Sequence, residues 1–181
     1  MKIINELKNK FEQAEFLTKK TNELKINIEN WNLQDISQEN LSSSSLRVIK
    51  NGKKGANTTF GDSDKVMEKL VEGVEESVEY GEESEFDFSK ENLKNMAPLQ
   101  REKYNNVDSN VIFDYINEFF DYVKSKKEDI TFDLNIIKEE EKILLQTTNG
   151  AKLEEEIINF RIDFGAPIPG GGSVLGRSFE Q

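Results

Sequence analysis

The spacing of apolar residues changes several times along this chain, and that succession constrains the fold more than any other sequence feature. Over residues 2–14 apolar residues recur at steps of one, three or four, which is the spacing of an amphipathic helix. Over residues 24–31, Leu24, Ile26 and Ile28 alternate with polar residues, as in a half-buried strand. The pattern therefore predicts a helix followed directly by sheet.

A hairpin is predicted around Asn51-Gly52. An apolar run over residues 46–49 leads to this pair, and residues 55–60 return from it. A type I′ turn needs positive φ at both central positions, which the Asn-Gly pair accepts readily. The preceding residues 32–43 are polar and rich in Ser, and favour a loop or an irregular edge strand.

Two longer helices are predicted next, over residues 63–80 and 109–127. The first has apolar residues on one line, and the second has a broad aromatic face and a basic last turn. Residues 81–108 between them lack periodicity and predict a long connection. The candidate helix caps are Asp62 or Ser63 for the first helix and Asp108 or Ser109 for the second.

The last third of the chain predicts a three-stranded meander. Its strands begin around Phe132, Ile143 and Ile158, and Asn149-Gly150 predicts a second type I′ turn. Residues 166–181 are rich in Gly and Pro and predict a linker or tail without an element of its own.

The order of these elements predicts an α+β fold. Helices do not alternate one for one with strands, so a doubly wound parallel sheet is not expected. We expect an antiparallel sheet, made of two three-stranded meanders, packed with about three helices. The domain would span residues 1–165.

The chain contains no His and no Cys, which removes several chemistries. Disulfides, thiolate nucleophiles and His-based catalytic pairs or zinc sites cannot form within it. Only Glu, Asp, Lys and Tyr remain for acid–base work, and none lies in a recognisable motif. We expect no catalytic residue, no cofactor and no metal in this chain, and no enzyme activity from the chain alone.

The chain is acidic, with 24 Lys and Arg against 35 Asp and Glu and a net charge of −11. Such a surface repels phosphate backbones and anionic membranes, so direct binding of nucleic acid or membrane is not expected. The N-terminal residues lack the apolar region of a signal peptide, so a cytoplasmic protein is expected.

Several polar clusters have an ordinary structural interpretation. The acidic stretch over residues 72–87 lacks the register of a calcium loop and fits a solvated helix. The acidic triplets 139–141 and 154–156 are predicted to lie at strand ends, where charge blocks sheet pairing.

Residues 170–173 (Gly-Gly-Gly-Ser) lack the Lys of a phosphate loop and fit a linker. Trp31 fits the edge of a core.

One segment carries more specific information. Residues 46–59 have the sequence Leu-Arg-Val-Ile-Lys-Asn-Gly-Lys-Lys-Gly-Ala-Asn-Thr-Thr. They resemble the hallmark of the N-terminal domain of the TldD/PmbA family, in which a strand runs through a glycine turn into a second strand of small residues. The helix over 63–80 follows as in that family, and residues 144–150 are similar to a later strand and turn. The resemblance covers residues 1–165.

The resemblance implies a role in proteolysis. The family forms a cytoplasmic two-subunit zinc metallopeptidase that processes unstructured peptides, and was historically labelled a modulator of DNA gyrase. Its zinc ligands belong to a C-terminal domain, and none can be carried over here because this chain has no His. The implied role is that of a non-catalytic N-terminal domain that helps to hold the peptide and a homologous subunit, as a homo- or heterodimer.

The resemblance also suggests where peptide contact would occur. We expect Arg47, Thr58 and Thr59 to contact substrate, by strand addition near residues 46–50 and 55–60. The expected structural turn residues are Asn51, Gly52, Gly55, Asn149 and Gly150. The alternative hypothesis is a free-standing acidic adaptor that binds a protein or peptide. The net charge of −11 also favours this alternative.

Overall fold

A computed structural model describes residues 2–91, 107–126, 130–167 and 174–180. These residues form two compact units. The first unit consists of residues 2–21, 40–91 and 141–156. The second consists of residues 22–39, 107–126, 130–140, 157–167 and 174–180.

The described residues form three helices and six strands. In chain order they are α1 (Lys2–Lys10), β1 (Gln13–Glu29), β2 (Asn32–Lys50), β3 (Lys53–Phe60), α2 (Asp64–Glu79), α3 (Ser109–Lys126), β4 (Asp133–Thr147), β5 (Lys152–Pro167) and β6 (Val174–Glu180). The strands follow the order β3-β2-β1-β4-β5-β6, and the β2–β3 and β5–β6 pairs are antiparallel. The predicted α+β fold is therefore confirmed.

The core of the first unit lies between one face of its strands and helices α1 and α2. The apolar stripe of α2 contributes Leu70 and Val74, both fully buried, and Ser63 caps the helix by accepting a hydrogen bond from Val66 N. Alternate residues of the strands point at the helices, because side chains of a strand alternate between its two faces. The strand residues in this core are Ala14, Phe16, Leu46 and Val48.

The core of the second unit is aromatic. Phe132 is fully buried and lies edge-on to Trp31, with ring centroids 4.7 Å apart. The predicted face of α3 supplies Ile112 and Ile116 to this core. Trp31 Nε1 donates a hydrogen bond to the Ile130 carbonyl at 3.0 Å. Trp31 therefore lies at the edge of this core, as predicted from the sequence.

The two Asn-Gly pairs adopt different turns. Asn51 and Gly52 have φ of 53° and 73°, and Lys50 pairs with Lys53, so the predicted type I′ turn is confirmed. At the second pair only Gly150 has positive φ, of 110°. Gly150 N donates to Thr147 O at 3.2 Å and Thr147 N to Ala151 O at 2.9 Å. These bonds describe a type I turn followed by a bulge glycine, so the second type I′ prediction is wrong.

Strand boundaries also differ from those expected. Residues 32–43, for which a loop and an irregular edge strand are both predicted, form part of strand β2. The first two strands of the predicted meander are one strand, β4, so Glu139–Glu141 lie inside a strand rather than at its end. The tail predicted to lack an element continues β5 to Pro167 and forms β6 over Val174–Glu180. Pairing with neighbouring strands, which a local pattern does not encode, extends each of these segments.

The predicted long connection is described only at its start. Residues 81–91 contain no helix or named strand, and residues 92–106 lie outside the described part of the chain. The linker interpretation of residues 170–173 also falls on residues that the structure does not describe.

Candidate functional site

Arg47 lies on the face of β2 opposite to α2. Its neighbours Leu46 and Val48 are buried in the first core, whereas the Arg47 side chain is half exposed. Arg47 Nε donates to Glu15 Oε1 of β1 at 2.7 Å, and Arg47 Nη2 donates to the same oxygen. The ion pair fixes the guanidinium across two strands and leaves its other edge open to solvent.

An aromatic side chain from a distant part of the chain supports Arg47. The guanidinium carbon lies 5.5 Å from the ring centroid of Phe88, which is almost completely buried. At this distance a guanidinium is attracted to the face of an aromatic ring. Arg47 is therefore held by a carboxylate and an aromatic ring.

Phe88 belongs to a segment that we call the strap, residues 82–89. The strap is tied at one end to the β2–β3 turn, where Ser84 N donates to Gly52 O at 2.7 Å. At the other end Phe88 N donates to Gln13 Oε1, and Asn149 Nδ2 donates to Phe88 O, both at 2.8 Å. Asn149, predicted as a turn residue, thus also anchors the strap.

A pocket of about 540 Å³ opens between the strap, β3 and the end of α2. Its mouth carries exposed aromatic rings, since Tyr80 is 88% exposed and Phe86 is 51% exposed. The exposed aromatic rings provide apolar contact, and the neighbouring guanidinium provides hydrogen-bond donors. Lining side chains include Arg47, Ala56, Ser77, Tyr80, Phe86 and Phe88.

The three residues expected to contact substrate do not share one surface. Ser45 pairs with Thr58 in the β2–β3 register, and their hydroxyl groups lie 2.9 Å apart on the face that carries Arg47. Thr59 pairs with the buried Ser44 and points to the opposite face. The structure places Arg47 and Thr58 on the same face of the hairpin and Thr59 on the opposite face.

The outer edge of β3 is closed by groups of the same chain. Lys54 N donates to Glu82 O at 3.0 Å, Ala56 N donates to Ser77 Oγ at 2.9 Å, and Thr58 N donates to Asn57 Oδ1 at 2.8 Å. A peptide added to this edge as a strand would have to displace these acceptors. Peptide contact at Arg47 and Thr58 would therefore use the face of the hairpin rather than its edge.

Gly55 allows α2 to approach β3 closely. A Cβ atom at this position would lie 2.3 Å from Val78 Cγ2 and 2.7 Å from Ser77 Oγ. A side chain other than hydrogen would therefore push Ser77 away from Ala56. Gly55, predicted as a turn residue, lies inside β3 opposite Val48, and its role there is in packing.

Ion pairs shift the pKa of two side chains in the described part of the chain. A hydrogen bond to Glu23 raises the pKa of Lys25, and a hydrogen bond from Lys20 lowers the pKa of Asp62. Neither pair lies in the Arg47 pocket.

Zinc, which the family resemblance implies, does not fit the residues of this chain. The sequence has no His or Cys, and no three Asp or Glu side chains of the described residues converge on one point. Among the described helices, none has the length and apolar character needed to cross a membrane.

No sequence pattern identifies Gln13, Phe88 or Ser77 as parts of this site. Gln13 and Phe88 meet across 75 residues of sequence. Ser77 lies on a helix whose pattern predicts only its buried face. A single sequence contains no periodicity that would connect them.

Three crystal structures are similar to this chain. They are TldE from Thermococcus kodakarensis (12% identity, TM-score 0.72), a candidate modulator of a DNA gyrase from Thermotoga maritima (16%, 0.71) and a candidate modulator of DNA gyrase from Bacteroides thetaiotaomicron (16%, 0.75). They match 99%, 99% and 96% of this chain, respectively. The chain spans 41% of the length of each. No family profile and no curated protein matches the sequence. The fold expected from the resemblance is therefore confirmed.

Proposed function

We propose that this chain acts as the non-catalytic N-terminal domain of a TldD/PmbA-type metallopeptidase subunit, and helps to hold unstructured peptides and a homologous partner subunit. The observation that carries the proposal is the fold, which matches TldE over 99% of this chain. The segment over residues 46–59, which suggested the family, forms the β2–β3 hairpin of that fold.

The Arg47 pocket supports the peptide part of the proposal. An unstructured peptide presents side chains and backbone carbonyl groups in an extended arrangement. The pocket offers the open edge of the Arg47 guanidinium to a carbonyl or carboxylate, and the exposed rings of Tyr80 and Phe86 to an apolar side chain. The Arg47 guanidinium is fixed in advance by Glu15 and Phe88, which lowers the entropy cost of binding.

The test uses the whole chain together with a zinc-bearing TldD-type subunit. Light scattering after size-exclusion chromatography should find a complex, and the mixture should cleave an unstructured peptide. Arg47→Ala should raise KM several-fold and leave kcat unchanged, because the lost contact acts on bound peptide and not on the reacting atoms. Arg47→Lys should restore only part of the loss.

The control variant is Lys53→Ala, which removes an exposed cation of the neighbouring turn. It should leave KM unchanged. Absence of any complex with the TldD-type subunit would contradict the proposal. If the complex formed with Arg47→Ala has the same KM as the complex formed with the parent protein, the Arg47 pocket takes no part in holding the peptide.

A free-standing acidic adaptor is the second candidate, favoured by the net charge of −11. It predicts binding to a basic polypeptide that weakens steeply as salt is added, without any homologous subunit. A pull-down at low and high salt distinguishes the two candidates, since the first predicts recovery of a peptidase subunit.

A further inference from the structure

Strand β2 is longer than its partner. It spans Asn32–Lys50, but β3 pairs only with its second half, from Ser43 to Lys50. Over residues 32–39 β1 lies on one side, and no strand of the described chain lies on the other. Backbone N–H and C=O groups along this side therefore have no strand partner among the described residues.

This open edge lacks the Lys and Pro residues that often protect an edge strand against pairing. Natural edge strands carry Lys, Pro or bulky charge that discourages a second strand. Residues 32–39 contain neither Lys nor Pro, and they expose Leu33 by 50% and Ile36 by 46%. Apolar side chains on an edge without Lys or Pro are suited to contact with another polypeptide.

The charge of the edge indicates which polypeptide it would take. Between Lys25 and Arg47 the chain has no basic residue, whereas Glu29, Asp35 and Glu39 are acidic. A second copy of this chain would bring the same acidic groups into contact with one another, which is unfavourable. A basic segment with apolar residues would complement both the carboxylates and the exposed side chains.

We propose that the outer edge of β2 over residues 32–39 binds an extended basic and apolar polypeptide segment by strand addition. This inference deepens the proposed peptide-holding function and rests on it. The closed edge of β3 gives the contrast, because there Glu82, Ser77 and Asn57 already accept the outward N–H groups.

The first experiment measures binding of a fluorescent peptide of alternating Lys and Val to the whole chain by anisotropy. Binding is expected for this peptide, and not for the matched peptide of alternating Glu and Val. A third peptide, the Lys-Val sequence with an N-methyl group on every backbone amide, should bind about tenfold more weakly because it has no N–H groups to donate to the ladder. Equal binding of all three peptides would overturn the proposal.

The second experiment locates the peptide. Hydrogen exchange measured by mass spectrometry should slow over residues 32–39 when the Lys-Val peptide is added. Ile36→Lys places a like charge on the edge and should weaken binding about tenfold. Tyr122→Lys adds the same charge at another exposed apolar position, on α3, and should leave binding unchanged. Protection elsewhere, or unchanged binding by Ile36→Lys, would overturn the assignment.

The outcomes separate this inference from the proposed function. A complex with a TldD-type subunit but no slowed exchange over residues 32–39 would remove the edge site and retain the function. Slowed exchange and binding sensitive to Ile36→Lys, without any such complex, would retain the edge site and remove the function.

Discussion

Ser77 Oγ accepts a hydrogen bond from the backbone N–H of Ala56 at 2.9 Å, so a side chain of α2 occupies the position of a neighbouring strand. The same hydroxyl group donates to Val74 O at 3.1 Å, which orients its oxygen toward the strand. One serine thus closes the middle of the β3 edge.

Removing this hydroxyl should expose the edge. We expect Ser77→Ala to lower the free energy of unfolding by about 1 kcal/mol, the usual contribution of one such hydrogen bond. The Ala56 amide should exchange with solvent faster. Urea unfolding and hydrogen exchange measure both effects. The matched control is Ser125→Ala, since Ser125 Oγ makes the same bond within its own helix, to Tyr122 O at 2.6 Å. An equal loss in both variants would contradict the role of Ser77.

A side chain at Gly55 should separate α2 from β3. Gly55→Ala would place a methyl group 2.3 Å from Val78 Cγ2, and overpacking of this kind costs about 1–3 kcal/mol. Thermal unfolding measures the loss. In the double variant with Val78→Ala, which removes the nearest atom, the two losses should be less than additive. Strict additivity would show that the two positions are not in contact.

The ion pair between Lys19 and Glu141 should matter more than exposed pairs. Glu141 is only 8% exposed, inside β4, and forms a salt bridge with Lys19 of β1. Lys19→Met would leave a carboxylate of low exposure without this cation, and we expect a loss of about 1–2 kcal/mol by urea unfolding. For comparison, Lys142→Met disrupts an exposed pair with Glu156 and should cost less than about 0.5 kcal/mol. A reversed order would contradict this ranking.

The Lys20–Asp62 pair predicts a pH effect of known sign. The hydrogen bond from Lys20 keeps the pKa of Asp62 below its ordinary value in the folded chain. Its contribution to stability is therefore present above the unfolded-state pKa and is lost as pH falls through the folded-state pKa. An NMR titration of the Asp62 carboxyl carbon should give a lowered midpoint that Lys20→Met returns to normal. Lys8→Met, on α1, should leave the midpoint unchanged. A midpoint unaffected by Lys20→Met would contradict the assigned cause.

The elements that the sequence predicts well have a strong local signal. The spacing of apolar residues in α2 and the Asn51-Gly52 turn each suffice to define their structure. Residues 32–43 have no such signal, since most of them are exposed and their strand conformation depends on pairing with β1. For that reason the sequence does not decide between a loop and an edge strand for these residues.

The candidate site was predictable only in part. The alternation of a strand implies that Thr58 and Thr59 face opposite sides, so only one of them could share a face with Arg47. The contribution of Phe88 depends on Asn149, which holds its carbonyl group across 61 residues. Contacts over such separations arise from tertiary packing, which single-sequence patterns do not contain.

The pairing of Ala14 with Thr148 has a consequence for the order of folding. Thr148 N donates to Ala14 O and Ala14 N donates to Thr148 Oγ1, each at 2.8 Å, across 134 residues of sequence. Closing so long a loop carries a large entropy cost before any contact compensates for it, and chains rich in such contacts fold slowly. The β2–β3 hairpin and α2 can form early from local contacts. The start of β1 gains this partner only after residue 148 has been synthesised.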